Sequence, residues 1–139
     1  HLLRYGQKKR VSIAAVLAME PEVIIFDEPT AYLDPKHAKK LMDILNTLHR
    51  QGKHIILSTH DVDLAYSWAD YIFILKDGKL LQAGLTEEIF LQDELLMKAD
   101  LCRPLLLQVY SILKEKDPHC LLPRNIDELK KYLSEVDIS

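Results

Sequence analysis

Three side chains able to move a proton or hold a metal ion occupy telling positions. Asp27 and Glu28 are adjacent and follow the apolar run Val23-Ile24-Ile25-Phe26, and His60 follows Ile55-Ile56-Leu57-Ser58-Thr59. Short runs rich in β-branched residues predict fully buried strands of a parallel sheet, and the ends of such strands are where open α/β folds bind ligands. Two neighbouring acids at such a place repel each other and lose hydration unless a cation or a water network compensates them. A magnesium-nucleotide complex supplies that compensation. Alone, Asp27-Glu28 reads as an acidic turn and His60 as a cap or core residue; His60 gains a functional reading because its strand lies beside that of the acids.

The elements that must position these groups are legible in outline. Pro29 restricts Glu28 to an extended conformation and ends the first strand, so the chain turns there. Asp34-Pro35 predicts an N-cap with proline at N1, opening a helix with Leu41, Ile44, Leu45 and Leu48 on one face. Lys39, Lys40, His49 and Arg50 form its solvated side, and Gly52 is placed to end it. His54 to Thr59 is the second strand. Asp61 caps a short helix in which Leu64, Ala65 and Trp68 share a face, which makes Trp68 a core residue. Tyr71 to Lys76 and Lys79 to Ala83 flank Asp77-Gly78, a type I′ hairpin signal, and Thr86-Glu87-Glu88-Ile89 begins a further short helix. Upstream, Gln7 to Met19 predicts a buried helix, apolar almost all round after a first turn of Lys8, Lys9 and Arg10. Those cations oppose the helix dipole, whereas Gly6 permits close approach of the backbone to an anion.

Four stretches in order carry a resemblance. Tyr5-Gly6-Gln7-Lys8-Lys9-Arg10 resembles the signature motif of the ABC-type ATPases, and Asp27-Glu28 their Walker B acids. Ala31-Tyr32-Leu33-Asp34 is similar to their D-loop and Ser58-Thr59-His60-Asp61 to their switch-histidine segment. Four such matches at the right spacing are far less expected by chance than one. The resemblance covers residues 1 to about 90, and within the family it looks most like the ATPase subunits of energy-coupling-factor and cobalt or nickel uptake transporters. It implies ATP and Mg2+ as cofactors, Asp27 as the metal-holding acid, Glu28 as the base that activates water, and His60 as a γ-phosphate and water contact. It further implies that Arg4, Tyr5, Gly6, Gln7 and Asp34 serve the nucleotide held by an opposite subunit. Arg4 departs from the pattern, since the family has serine there; an arginine is longer, cationic and forked, which puts that half-site in doubt.

Composition sets the remaining bounds. The 139 residues make about one domain, and a net charge of -3 gives no basic footprint for nucleic acid or an anionic membrane surface. No apolar run approaches the roughly 20 residues that span a bilayer, and no signal peptide is visible. Cys102 and Cys120 lack a metal or redox context and read as small buried hydrophobes. The chain has four glycines, and none sits in a GxxxxGK[ST] loop. With no initiator methionine, a start inside a motif and no phosphate loop, it is expected to be the C-terminal part of a longer protein.

The expected fold is therefore α/β: the C-terminal part of an ABC-type P-loop NTPase domain, mostly parallel sheet with an antiparallel edge hairpin, over residues 1–91. A small helical extension follows over 92–139. Pro104, Pro118 and Pro123 divide it into a helix from about Pro104 to Lys116 and another capped by Asn125, with Ile126, Leu129, Leu133 and Val136 on one side. That tail either packs on its own domain or helps to pair two ATPases.

The expected function is part of an ATP-hydrolysing subunit that energises a membrane transporter, for cobalt, nickel or a vitamin, and that is inactive without the phosphate loop. Its expected partners are a second ATPase subunit, identical or homologous, and transmembrane transporter subunits, on the cytoplasmic face of the membrane. The alternatives are a non-transport ABC ATPase and a non-catalytic dimerisation or regulatory module.

Overall fold

The computed structural model describes residues 15–135 apart from Leu17, and the chain divides into two units, His1–His60 and Asp61–Ser139. The predicted helix Gln7 to Met19 falls largely outside the described residues. Ala15 and Val16 within it are helical, yet Val16 is 44% exposed where a buried helix was expected.

In the first unit, β1 (Val23–Asp27) pairs in parallel with β2 (His54–Ser58), Val23 opposite His54 through Asp27 opposite Ser58. Helix α1 (Pro35–Arg50) joins them as the right length of crossover. Asp34 caps it as expected, its Oδ1 accepting from His37 N at 3.0 Å. Gly52 ends it with φ +86°, donating to His49 O at 2.9 Å while Lys53 N donates to Leu48 O at 3.1 Å, the double closure of a Schellman turn. Leu41 and Leu45 of α1 are buried, as is Ile24 of β1. The expectation of strands buried on both faces is not met: Val23, Ile25 and Ile56 are 50%, 73% and 51% exposed. Side chains alternate across a strand, so one helix covers only the Ile24, Phe26, Ile55 and Leu57 side of this two-stranded sheet. Asp27 and Ser58 project from the other side.

The second unit starts with α2 (Val62–Trp68), capped by Asp61 Oδ1 accepting from Leu64 N at 2.9 Å. Its buried face differs from the prediction. Tyr66 is fully buried, with Val62, Ala65 and Ala69 against the same core, whereas Trp68 is only half-buried. The stripe at 62, 65, 66 and 69 wins because the rest of the unit packs there. Strands β3 (Tyr71–Lys76) and β4 (Lys79–Leu85) form the antiparallel hairpin, with Asp77 at φ +50° and Gly78 at φ +70°, the two positive values that a type I′ turn requires. Helix α3 (Thr86–Phe90) follows, its Thr86 hydroxyl donating to Ala69 O at 2.5 Å.

The tail contributes α4 (Asp93–Lys98), α5 (Leu105–Lys116) and α6 (Ile126–Glu135). Helix α4 was not foreseen, although Asp93 and Glu94 in its first turn and Leu95-Leu96 behind them are a start signal. Leu95, Leu96, Leu106, Leu107 and Leu129 join Ile72, Ile74, Ile89 and Phe90 in one hydrophobic cluster. The tail thus shares a core with the hairpin and α3, so packing sets no boundary at the expected division near residue 91. Asn125 caps α6 through Glu128 N at 2.9 Å. Ile126, expected on the covered face, is 51% exposed. Val136 lies outside the described residues. Cys120 is buried as predicted; Cys102 is exposed, and both are free thiols. Among the described residues no helix is long and apolar enough to cross a membrane.

Arg124 ties the tail to α2 and α3. Its guanidinium donates to Tyr66 O at 3.1 Å and Ala69 O at 2.7 Å, pairs closely with Glu87, and lies 5.5 Å from the Tyr66 ring centre. A cation here completes the carbonyls at the C-terminal end of α2 and matches its dipole. Arg124→Ala removes this partner from Tyr66 O and Glu87 and leaves Ala69 O to the Thr86 hydroxyl, so unfolding free energy should fall by about 1.5–3 kcal/mol, measured by urea titration. The Glu87 carboxyl is held below its ordinary value of 4.5 by a backbone hydrogen bond, with Arg124 adding to the effect. A depressed folded value means this contribution is present above the unfolded pKa and fades as pH falls through the folded one.

Candidate functional site

The site lies where β1 and β2 end together. Parallel pairing in register sets Asp27 beside Ser58, and the Ser58 hydroxyl donates to Asp27 Oδ1 at 2.5 Å. One residue on, Glu28 N donates to both Ser58 O at 3.2 Å and Ser58 Oγ at 3.1 Å, which carries the ladder one step beyond the strand. The Glu28 side chain meets His60, Nδ1 to Oε1 at 2.9 Å. A carboxylate accepts, so Nδ1 carries the proton in this contact and Nε2 is the ring nitrogen that points elsewhere. Residues 32 positions apart in the chain thus form one pair because the two strands run side by side.

Glu28 corrects one expectation. It was predicted to be extended ahead of Pro29, but its φ is +43°. The left-handed region is disfavoured for a residue with a Cβ, and more so before proline, so the turn stores strain at this carboxylate. Ala31 N donating to Glu28 O at 3.2 Å and Leu33 N to Thr30 O at 3.2 Å hold the turn, and Pro29 at its centre is buried. The Glu28 side chain is 35% exposed and that of His60 84%, so both are open to an incoming group.

Asp34 is held by His37. Both its oxygens are committed to His37, Oδ1 to the backbone N–H and Oδ2 to Nδ1 at 2.5 Å, and the side-chain bond to His37 holds its pKa below the ordinary carboxylate value. Tyr32 in the same loop is 91% exposed with φ +62°. Arg4, Tyr5, Gly6 and Gln7, the other predicted nucleotide contacts, lie outside the described residues. The structure therefore brings together Asp27, Glu28 and His60. Ser58 was noted only as part of a motif; the sole signal for its role is its register opposite Asp27, which no local pattern shows.

The donors suit a hard cation. Asp27 presents a carboxylate with a serine hydroxyl beside it, all oxygen, and Mg2+ takes one or two carboxylates with substrate phosphates and water. Among the described residues no three His, Cys, Asp or Glu side chains converge, the pattern of an all-protein metal cage. A magnesium ion that arrives with a nucleotide needs no such cage.

Residues 5–65 match a family described as "AAA domain, putative AbiEii toxin, Type IV TA system", a span that takes in all four motif stretches. The energy-coupling factor transporter ATP-binding protein EcfA2 of Methanospirillum hungatei is 50% identical over 130 residues, 92% of this chain and 33% of that protein. EcfA of Methanocaldococcus jannaschii is 50% identical over 117 residues, 84% of this chain and 42% of that protein. Among solved structures, cbiO1 of Clostridium perfringens, part of the ABC transporter complex cbiONQ, superposes with a TM-score of 0.59 at 39% identity, covering 82% of this chain and 45% of that one. The chain spans a third to a half of the length of these relatives. Its homologues are ABC transporter ATP-binding proteins, energy-coupling-factor ATPases among them, and its fold is that of part of their ATPase cassette.

Proposed function

We propose that this chain is part of an ATP-hydrolysing subunit that energises a membrane transporter, most like those of cobalt, nickel or vitamin uptake. The observation that carries it is the Glu28–His60 contact beside Asp27 at one strand end. Phosphoryl transfer to water asks for in-line positioning and neutralisation of developing charge. Asp27 would hold the magnesium ion, which supplies charge neutralisation on the phosphates when bound. Glu28 would orient the attacking water and take its proton, while His60 would fix the Glu28 carboxylate through Nδ1 and present Nε2 to the γ-phosphate.

Signature residues Arg4, Tyr5, Gly6 and Gln7, with Asp34, would serve the site of a second ATPase subunit. Two solved structures of one similar cassette, MJ0796, are described as dimeric, one with ADP and Pi bound. Arg4 in the serine slot leaves that half-site altered. A subunit of this kind would sit at the cytoplasmic face of the membrane and touch it through transmembrane partner proteins. Residues 1–91 would carry the catalytic part and 92–139 the extension.

The test is an ATPase assay on two proteins. The 139-residue chain alone should release no phosphate from ATP, because no phosphate loop is present in it, whereas the full-length protein should turn over with Mg2+. Turnover by the chain alone that disappears on Glu28→Gln would overturn the division of labour between this chain and a phosphate loop.

A further inference from the structure

We propose that Ser58 is a positioning residue of the ATPase site, its one hydroxyl fixing the Asp27 carboxylate and the Glu28 main chain at once. The inference rests on the roles given above to Asp27 and Glu28. A serine hydroxyl offers one proton and two lone pairs, and both capacities are used here. Its proton goes to Asp27 Oδ1 at 2.5 Å, and its oxygen accepts from Glu28 N at 3.1 Å.

The consequence is directional. With Oδ1 held by the hydroxyl, Oδ2 would be the Asp27 oxygen that holds the metal or one of its waters. A bond to an ionised acceptor is short and geometrically strict, so the carboxylate plane is set by β2 and not by its own rotamer freedom. Glu28, the next residue, has a left-handed backbone ahead of Pro29, and its N–H is shared between the Ser58 carbonyl and hydroxyl. That shared bond anchors the strained turn at the point from which the Glu28 side chain leaves toward His60. β2 therefore positions both acids: Ser58 holds Asp27 and the Glu28 backbone, and His60, two residues later, holds the Glu28 carboxylate. Ser58 is exposed, so the serine is not there to fill a core.

The experiment compares Ser58→Ala and Ser58→Thr in the full-length protein, with Mn2+ as the metal probe in the presence of ADP, followed by electron paramagnetic resonance. Loss of an outer group that orients a metal ligand commonly costs about 10–100-fold in metal affinity or activity. Ser58→Ala should weaken Mn2+ binding and lower turnover at saturating Mg2+, both toward the lower end of that range, with the thermal melt little changed because Ser58 is exposed and Glu28 N keeps its bond to Ser58 O. Ser58→Thr keeps the hydroxyl and should restore most of both. Wild-type Mn2+ affinity and turnover in Ser58→Ala would overturn the proposal, and so would a threonine variant no better than alanine. Glu28→Gln in the same assay separates the two levels: if it too turns over normally, the site assignment itself falls, whereas an inert Glu28→Gln beside a normal Ser58→Ala removes Ser58 alone.

Discussion

Glu28→Gln in the full-length protein should lower turnover by about 10²-fold to 10⁴-fold, the loss expected when a general base is removed. The substitution is nearly isosteric. Glutamine can still accept from His60 Nδ1–H through its amide oxygen, and the backbone bonds from Glu28 N to Ser58 are untouched, so the turn should survive. What disappears is the oxygen that, in the role proposed for Glu28, receives the proton of water. Asp27 and its Ser58 contact, the proposed metal-holding groups, are untouched, and nucleotide affinity should change little. The measurement pairs steady-state phosphate release with nucleotide binding on the same preparation. A fall in rate without a fall in binding is the signature of an interaction needed only in the transition state. Unchanged turnover would remove Glu28 from this role and leave the Glu28–His60 pair as a structural contact.

The meeting of Asp27, Glu28 and His60 could be anticipated from local pattern because these side chains sit at strand ends. Asp27, Glu28 and His60 each follow a run of β-branched residues, and parallel pairing then brings separate runs to one edge. Caps and turns were legible for the same reason: Asp34, Asp61, Asn125, Gly52 and Asp77-Gly78 act through residues within a few positions of themselves. What stayed hidden depends on partners far away in sequence. Register alone puts Ser58 against Asp27. Trp68 looked like the buried residue of α2 until the core made by α3 and the tail engaged Tyr66 instead. Proline after Glu28 argued for an extended residue, but the turn that ends β1 imposes φ +43° against that preference. Burial of Ile25 and Ile56 was overestimated because a run of β-branched residues says that a strand has two apolar faces, not that both are covered.

Leu129→Glu should unfold the second unit and not merely loosen an association. The leucine is 9% exposed and belongs to the cluster formed with Ile72, Ile74, Ile89, Phe90, Leu106 and Leu107. Truncating a core leucine to alanine already costs about 2–5 kcal/mol, and glutamate adds a carboxylate taken out of water without a partner. A domain of this size has about 5–15 kcal/mol in all, so the loss is a large share of it. The melting transition of the variant should move down steeply or disappear. Ile126→Glu is the matched control on the same helix, since Ile126 is 51% exposed and an exposed substitution stays within about 0.5 kcal/mol. Sedimentation at several concentrations decides between the two readings of the tail. A variant that keeps its melt but loses a concentration-dependent dimer would make the Leu129 face an interface between chains. Loss of the melt, with Ile126→Glu unaffected, makes it the core that ties α6 to the hairpin and α3.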